Sequence, residues 1–440
     1  MADLKQTARR IFELTLAAID IPRTMSRKLA RVGSQIQVNG APFDLSGYKQ
    51  IYAVAVGKGS VAMARGLTGV LAPEFRPQGI VDAPAAPPED APDLAGFKLI
   101  VSGHPLPDRG SFEAGRAVLE LVSSATAQDL IFFLLSGGGS ALMEHPLDAA
   151  IGLEDMRELN RLLVTCGAPI HEMNAVRKHL SAVKGGRLAA AAPSTMKISL
   201  GATDVPEGCE SALCSGPTLP DPTTVADACR VVERYALLPK LPPAIRVLFE
   251  HPERIPETPK DGDPAFGRAI FQMVLGHHDL FHAAHRATEA AGFVTLCDNS
   301  TDDWPLQRAA DFLLDQLAAL RRANPARPVA VLADGEVSSP VTGAGAGGRN
   351  SAFVAYCLPK IAGGPVAVLS AGTDGIDGSS PAAGAVADGA SLERARAGGL
   401  DVHDFFRRSD TYTLFKELGD AVVTGPTGKN LRDLRILLSR

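Results

Sequence analysis

An uninterrupted apolar run followed at once by a glycine-rich loop is the feature that most constrains this chain. Residues 130–135, Leu-Ile-Phe-Phe-Leu-Leu, have the length and the lack of alternation of a strand buried on both faces. The loop that follows reads Ser136, Gly137, Gly138, Gly139, Ser140, and the residues after it suit the start of a helix. A tight turn needs only one glycine, whereas three glycines between two hydroxyl groups leave backbone N–H groups open to an anion. The sequence therefore predicts a strand that ends in an anion-binding loop.

The length and the periodicity of the chain predict two α/β domains. A chain of 440 residues is long for one hydrophobic core. Residues 237–266 are rich in proline and lack clear periodicity, so we place the domain boundary there, between residues 1–245 and 246–440. Strand and helix patterns alternate in both parts, which predicts parallel sheets. Residues 173–192 read as one long helix interrupted by two glycines, and residues 431–438 read as a final helix.

Composition excludes several classes of protein. Lys+Arg 44 against Asp+Glu 49 gives 44 − 49 = −5, which is not the charge pattern of a protein that binds nucleic acid or an anionic membrane. No apolar run is long enough to span a membrane, and the N-terminus lacks the pattern of a signal peptide. The cysteines include no CxxC pair, so a zinc site is not favoured. We expect a cytoplasmic protein with reduced thiols.

Two charged residues directly follow predicted strands. Lys58 stands between two glycines after the strand at residues 51–56, where it can point into a cleft; a solvated surface lysine is the alternative. Asp204 follows the strand at residues 197–200. A carboxylate there can bind Mg²⁺ or accept a proton from a hydroxyl group, and a simple turn aspartate is the alternative. Both positions suit an α/β protein, in which ligands bind at the carboxyl ends of strands.

A second glycine run occurs in the C-terminal half. Residues 343–348, Gly-Ala-Gly-Ala-Gly-Gly, lead into Arg349 and a predicted helix. The run matches G-x-G-x-x-G, but the polar stretch before it is a poor Rossmann strand, so an anion site with a free, planar Arg349 side chain fits better. Asp374 and Asp377 lie in a later glycine turn and suggest hydroxyl or metal contacts, with a plain turn as the alternative.

These segments together resemble the glycerate 2-kinase family of the type that has a C-terminal MOFRL domain. The resemblance runs from around Ala53 to Asp433. The segments that carry it are Val-Ala-Val-Gly-Lys-Gly at 54–59, Gly-His-Pro-Leu-Pro-Asp at 103–108, Leu-Ser-Gly-Gly-Gly-Ser-Ala-Leu at 135–142, Glu-Met-Asn-Ala-Val-Arg-Lys-His-Leu-Ser at 172–181, Lys-Gly-Gly-Arg-Leu at 184–188, Ser-Gly-Pro-Thr at 215–218, Gly-Gly-Arg-Asn at 347–350, Ala-Gly-Thr-Asp-Gly-Ile-Asp-Gly at 371–378 and Thr-Gly-Pro-Thr-Gly at 424–428. Each segment is weak evidence alone, but their order makes the set specific.

The resemblance implies a kinase. The family transfers the γ-phosphoryl group of ATP to the 2-hydroxyl of D-glycerate, giving 2-phosphoglycerate and ADP, with Mg²⁺. It has a larger, Rossmann-like, doubly wound N-terminal domain, a smaller MOFRL domain, and an active site in the cleft between them. Its active-site lysine and arginine correspond here to Lys58 and Arg349.

On this basis we assign candidate roles. Catalysis is assigned to Lys58, Arg349 and Asp204, and Asp204 is also the candidate metal ligand. Phosphate or nucleotide binding is assigned to Ser136, Gly137, Gly138, Gly139, Ser140, Lys184, Gly185, Gly347, Gly348, Thr373 and Asp374. Substrate binding is assigned to Asn174, Arg177 and Asp377, with Arg177 a candidate clamp for the carboxylate. The sequence leaves open which glycine loop takes ATP and whether the chain forms a homodimer.

The sequence departs from the family at residues 206–211, where two adjacent acids are replaced by the separated Glu207 and Glu210. The metal ligands and the identity of the substrate therefore stay open.

Two other interpretations of the function remain. An NAD(P)-dependent hydroxypyruvate reductase is the main alternative, because residues 57–62 fit G-x-G-x-x-A after a strand. Asp82 ends the next strand, where a ribose-binding acid belongs. A non-catalytic binding protein is the third interpretation.

Overall fold

The computed structural model of this protein describes residues 3–86, 94–203, 205, 208–429 and 431–440. The chain divides into two units. The N-terminal unit is Ile21–Gly276, and the C-terminal unit combines Met1–Asp20 with His277–Arg440. Among the described helices, none is both long and apolar enough to cross a membrane.

The boundaries of these two units differ from the predicted domain boundary between residues 245 and 246. The first helix, α1 (Leu4–Ala18), belongs to the C-terminal unit, where Lys5 Nζ lies 2.8 Å from Asp420 Oδ1. The proline-rich residues 237–266 stay in the N-terminal unit, together with the strand Ala269–Leu275. That strand belongs there because it pairs in parallel with the strand Met196–Ala202.

The N-terminal unit contains nine strands and nine helices among its described residues. The strands are β1 (Arg31–Val32), β2 (Gln35–Val38), β3 (Ala41–Asp44), β4 (Gln50–Val56), β5 (Gln78–Ala83), β6 (Phe97–Val101), β7 (Asp129–Ser136), β8 (Met196–Ala202) and β9 (Ala269–Leu275). The helices are α2 (Ile21–Lys28), α3 (Ser60–Leu71), α4 (Arg109–Ser124), α5 (Gly139–Leu142), α6 (Leu153–Thr165), α7 (Ile170–His179), α8 (Arg187–Ala191), α9 (Val225–Arg234) and α10 (Pro243–Glu250).

Six of these strands form a parallel sheet in the order β6-β5-β4-β7-β8-β9. Numbered along the chain, this is the Rossmann order 3-2-1-4-5-6. Every residue of β7 is buried, as its apolar run predicts. The strand order reverses between β4 and β7, where Val56 pairs with Leu135, and ligands of such sheets bind outside the carboxyl ends of the strands at this switch point. The predicted α/β class is confirmed, and the glycine loop lies at the expected place in it.

The predicted long helix over residues 173–192 is wrong. The structure has two shorter helices, α7 and α8, separated by residues 180–186. α7 ends at His179, with Leu180 as its C-cap residue, well before the glycine pair. Gly185 and Gly186 have φ values of 57° and 81°, and Gly186 is the N-cap residue of α8, so the pair precedes a new helix instead of interrupting one.

The C-terminal unit contains, besides α1, six strands and six helices among its described residues. The strands are β10 (Val294–Cys297), β11 (Val329–Asp334), β12 (Val366–Gly372), β13 (Gly384–Asp388), β14 (Ala421–Val422) and β15 (Asp433–Ser439). The helices are α11 (His277–Ala290), α12 (Leu306–Ala323), α13 (Arg349–Ile361), α14 (Ser391–Ala397), α15 (Val402–Arg407) and α16 (Thr411–Glu417).

The sheet of this unit is mixed, so the prediction of a second parallel sheet is wrong. Its order is β10-β11-β15-β12-β13-β14, and only β10 and β11 pair in parallel. The last segment, predicted as a helix, is the central strand β15. All seven of its residues are buried, and a short apolar run of this kind does not distinguish a strand from a buried helix by its period. Antiparallel pairing with β11 and β12 on its two sides decides the structure.

Candidate active site

The glycine loop, residues 136–140, is held against the turn after β4. Ser136 Oγ accepts a hydrogen bond from Gly59 N–H at 2.9 Å and donates one to the Val56 carbonyl at 3.3 Å. The N–H of Lys58 donates to the Gly137 carbonyl at 2.9 Å. Because the Ser136 hydroxyl is buried and already bonded, it positions the loop, and its predicted role as a phosphate ligand is corrected.

The backbone of the loop remains open to a ligand. Among the residues that the structure describes, no acceptor is bonded to the N–H groups of Gly137, Gly138 or Ser140. Gly138 is left-handed, with φ of 87°, and a Cβ added to it would lie 3.1 Å from the His104 ring and 3.4 Å from Lys58 Cγ. Since α5 is a single turn, the N–H groups of the loop, more than a helix dipole, attract an anion.

His104 is a site residue that sequence reasoning did not select. It follows β6 in the Gly-His-Pro segment, which was noted only as part of a family pattern. Desolvation by surrounding atoms and, to a smaller extent, the Lys58 charge lower the pKa of His104. A neutral imidazole beside the loop can therefore exchange hydrogen bonds with a bound anion at neutral pH. The position of His104 shortly after a predicted strand was the sequence signal that could have identified it as a site residue.

A chain of polar side chains leads from the loop to Arg177. Ser140 Oγ lies 2.7 Å from Ser215 Oγ, and Ser215 Oγ donates to Asn174 Oδ1 at 3.4 Å. Arg177 Nη1 donates to the same Asn174 oxygen at 3.5 Å. The structure thus brings together Ser140, Asn174 and Arg177, three of the predicted residues, and adds Ser215, which was not assigned a role.

Lys184 and Gly185 do not face a ligand. Lys184 is 1% exposed, and its Nζ donates to the Met143 carbonyl at 3.1 Å and to the Glu144 carboxylate. Burial lowers the pKa of Lys184, and the Glu144 charge opposes that shift. The N–H of Gly185 donates to the Ser215 carbonyl at 2.9 Å. Their predicted phosphate-binding roles are corrected, because their donors are already bonded inside the protein.

We expect Lys184→Met to lower stability more than it changes ligand affinity. The substitution leaves the buried Glu144 without its cation, which costs about 3–5 kcal/mol in the free energy of unfolding. Urea denaturation measures this loss. Lys98→Met is the matched control, because its partner Glu113 is exposed and the expected loss is about 0–1 kcal/mol. A stable Lys184→Met protein with a large rise in the KM for ATP would contradict the assignment.

The predicted metal ligand cannot be placed. Asp204 and Glu207 lie outside the described residues. Within the described part of the chain, no three His, Cys, Asp or Glu side chains are grouped so as to hold a metal ion. The described residues alone therefore do not form a metal centre.

In the C-terminal unit, the predicted second anion loop is closed by the protein itself. Asp377 is 1% exposed, and its carboxylate accepts hydrogen bonds from Asn350 N–H at 2.9 Å, Ser351 N–H at 2.8 Å and Ser351 Oγ at 2.6 Å. The N–H groups of Gly347 and Gly348 donate to the hydroxyl oxygens of Ser379 and Ser351, each at 3.3 Å. The N–H groups of Gly347 and Gly348 are therefore not open as predicted, and the Asp377 carboxylate is bonded to the first turn of α13. Because all three residues line a cavity of this unit, their binding roles stay predictions.

Close packing explains why glycine is required at positions 347 and 348. A Cβ on Gly347 would lie 2.5 Å from Thr411 Oγ1, and one on Gly348 would lie 2.3 Å from Asp377 Oδ1. Such distances are far below van der Waals contact. The glycines are required by their neighbours, whether or not a ligand approaches.

Thr373 and Asp374 differ in accessibility. Thr373 is buried, and its hydroxyl donates to the Arg432 carbonyl at 2.8 Å and accepts from Leu431 N–H at 2.9 Å. Its predicted nucleotide contact is corrected, because the hydroxyl holds the start of β15. Asp374 lines a cavity of about 910 Å³ within the C-terminal unit, so its assignment stays a prediction.

Arg349 lines the same cavity but is not free. Its Nε lies 2.5 Å from Asp433 Oδ2, and its Nη2 lies 2.6 Å from Glu336 Oε1. The charges and hydrogen bonds of these two carboxylates raise the pKa of Arg349 despite its burial. The expectation of a free side chain is wrong, although Nη1 takes no part in these contacts and 35% of the side chain remains exposed. Arg349 can thus be both anchored and accessible.

The position of Asp82 weakens the reductase interpretation. Asp82 is the second-last residue of β5, one residue from its predicted place at the strand end, but it is 0% exposed. Burial raises the pKa of Asp82 to about 8, so it is mainly protonated at neutral pH. A ribose-binding acid must be ionised and reach the cofactor, and this one meets neither condition.

The fold and the open loop define a class of Rossmann-ordered α/β proteins with an anion site at the switch point. Residues 7–250 match a domain of unknown function, DUF4147, and residues 329–433 match the MOFRL family. A glycerate 2-kinase of Pyrococcus horikoshii is 32% identical, with 99% of this chain and 97% of that protein aligned. A protein of Agrobacterium vitis named putative hydroxypyruvate reductase is 34% identical over 99% of this chain and 94% of its own.

A solved structure agrees with these relatives. The crystal structure of a glycerate kinase from Thermotoga maritima superposes with a TM-score of 0.84 at 30% identity, covering 99% of both chains. The chain belongs to the glycerate 2-kinase family, in which a DUF4147 domain precedes a MOFRL domain.

Proposed function

We propose that this protein is an ATP-dependent glycerate 2-kinase that phosphorylates the 2-hydroxyl of D-glycerate. The observation that carries the proposal is the open glycine loop beside Lys58, in a chain aligned over nearly its whole length with a glycerate 2-kinase. Phosphoryl transfer demands positioned cations and backbone N–H donors, with little covalent chemistry by the protein. The loop and its neighbours supply donors of this kind.

The reaction assigns a role to each group. The 2-hydroxyl oxygen of the substrate attacks the γ-phosphorus of ATP, the bond from that phosphorus to the β,γ-bridging oxygen breaks, and ADP leaves. The N–H groups of the loop and Lys58 stabilise charge on phosphoryl oxygens, and Arg349 offers its planar guanidinium to the transferring group. Arg177 binds the substrate carboxylate. Asp204 is our candidate acceptor for the hydroxyl proton.

We extend the proposal to a requirement for Mg²⁺, which would offset charge on the phosphates of ATP. Its motivation is the family and the acids Asp204, Glu207 and Glu210, which lie close together in the sequence. No step is assigned to the ion. Loss of turnover in excess EDTA and recovery with added Mg²⁺ is the expected result, and turnover that persists in EDTA would contradict it.

A pair of assays tests the function. The purified protein is incubated with ATP and D-glycerate while ADP release is coupled to absorbance, and in parallel with NADH or NADPH and hydroxypyruvate. We expect ADP release that depends on D-glycerate, with 2-phosphoglycerate as the product in ³¹P NMR. Oxidation of NAD(P)H without D-glycerate-dependent ADP release would establish the reductase instead.

A further inference from the structure

Arg177 is a mostly enclosed cation held by neutral groups. Its Nε donates to Asn160 Oδ1 at 2.8 Å, and its Nη1 donates to Asn174 Oδ1 at 3.5 Å. No described residue forms a salt bridge with Arg177. Burial lowers the pKa of Arg177 from its ordinary value, but an arginine remains charged at neutral pH. Arg177 is half-buried, and a charge withdrawn from water in this way is commonly paired, so its neutral partners need a reason.

The carboxylate whose charge acts on Arg177 does not neutralise it. Glu144 acts on Arg177 through its charge, but its own oxygens bind Lys184 Nζ, Ser181 Oγ at 2.6 Å and His145 N–H at 2.9 Å. Two cations, Lys184 and Arg177, therefore share one carboxylate. The polar chain through Ser215 and Ser140 connects this excess positive charge to the open glycine loop.

Asn160 is fixed so that it must present its oxygen to Arg177. Its Nδ2 donates to the Met156 carbonyl, one turn earlier on α6, at 2.8 Å. The amide cannot turn over without losing that bond and placing its NH₂ group against the guanidinium. An aspartate of the same shape would accept from Arg177 equally well, but it would also cancel the charge of Arg177.

We propose that Asn160 is a positioning residue that aims Arg177 while leaving its charge available for the carboxylate of an anionic hydroxy-acid substrate. This inference rests on the proposed kinase function for its substrate and deepens it: the site selects 2-hydroxy acids in their ionised form over uncharged analogues of the same shape. The selection arises from a neutral partner at residue 160 and not from an additional cation.

Asn160→Asp tests the proposal with a nearly isosteric change. We expect the KM for D-glycerate to rise at least about tenfold, the KM for ATP to change less than about threefold, and the thermal midpoint to stay level or rise through the new ion pair. Calorimetry without ATP should show the wild type binding D-glycerate more tightly than D-glyceramide, its uncharged amide, and Asn160→Asp losing that preference.

Asn324→Asp is the matched control. Asn324 also donates its Nδ2 to the carbonyl one turn earlier, Leu320, at 2.9 Å, and it lies next to Arg321 in the C-terminal unit. Asn324→Asp therefore measures how much stability is lost with the side-chain hydrogen bond alone. It should leave the KM values for ATP and D-glycerate unchanged.

The outcomes separate the inference from the function. An Asn160→Asp protein with a raised thermal midpoint and unchanged affinity for D-glycerate would overturn the inference while the kinase stands. A wild type that binds D-glycerate with a charge preference that Asn160→Asp loses, but that releases no ADP, would keep the inference and reject the kinase. A wild type that binds D-glycerate and D-glyceramide equally would overturn the inference.

Discussion

Replacing Gly138 by alanine is expected to lower kcat/KM at least about 100-fold while the protein stays folded. The new Cβ would lie 3.1 Å from the His104 ring, closer than an ordinary contact, and at contact distance, 3.4 Å, from Lys58 Cγ. It therefore pushes against the ring and occupies the space that an anion needs above the loop. Gly138 also has φ of 87°, a conformation that costs an alanine about 1–2 kcal/mol. Steady-state kinetics with both substrates and a thermal melt measure the two effects.

Gly167→Ala isolates the backbone cost. Gly167 has φ of 81°, similar to that of Gly138, but nothing lies within 4 Å of its added Cβ. We expect similar losses of thermal stability in the two variants and loss of activity only in Gly138→Ala. Equal kinetics in both variants would show that residues 136–140 do not bind a ligand.

Replacing Arg349 by alanine is expected to lower kcat by roughly 10³-fold, with Arg349→Lys recovering only part of it. A planar guanidinium can bind two oxygens of the transferring group, which an ammonium cannot do in the same geometry. The same change should also lower the free energy of unfolding by about 1–3 kcal/mol, because Asp433, 3% exposed, loses its partner. The free Arg349 side chain that the sequence predicted would have had no partner to lose and no such effect on stability.

Two further variants separate catalysis from stability. Arg349→Ala with Asp433→Asn removes both charges, so it should recover stability without recovering kcat. Arg394→Ala is the matched control, because Arg394 is similarly exposed and pairs with the buried Asp420 of the same unit. Asp420 keeps a second partner, Lys5, so this variant should lose less stability than Arg349→Ala, and it should keep its activity. If Arg394→Ala and Arg349→Ala have the same kcat, Arg349 is structural.

Local patterns were sufficient where the chain itself supplies the determining contacts. The apolar run before the glycine loop predicted β7, because only a strand covered on both faces buries every residue of such a run. Lys58 was predicted to point into a cleft from the end of a strand, and the structure places it beside the loop, where its N–H donates to the Gly137 carbonyl. The alternation of strands and helices predicted the parallel sheet of the N-terminal unit, and the family resemblance implied its Rossmann-like order.

Partners distant in sequence decided the rest. Glycines permit an open backbone, but they do not determine which acceptor its N–H groups will find. The loop 136–140 stayed open, whereas Gly347 and Gly348 of the second run donate to the hydroxyl oxygens of Ser379 and Ser351. The final apolar segment forms a strand because its backbone pairs with β11 on one side and with β12 on the other. The sequence by itself determined which segments can be buried and where the backbone can approach a ligand. Only the tertiary structure decided which charges and N–H groups are already paired, because pairing depends on distances between residues that no local pattern encodes.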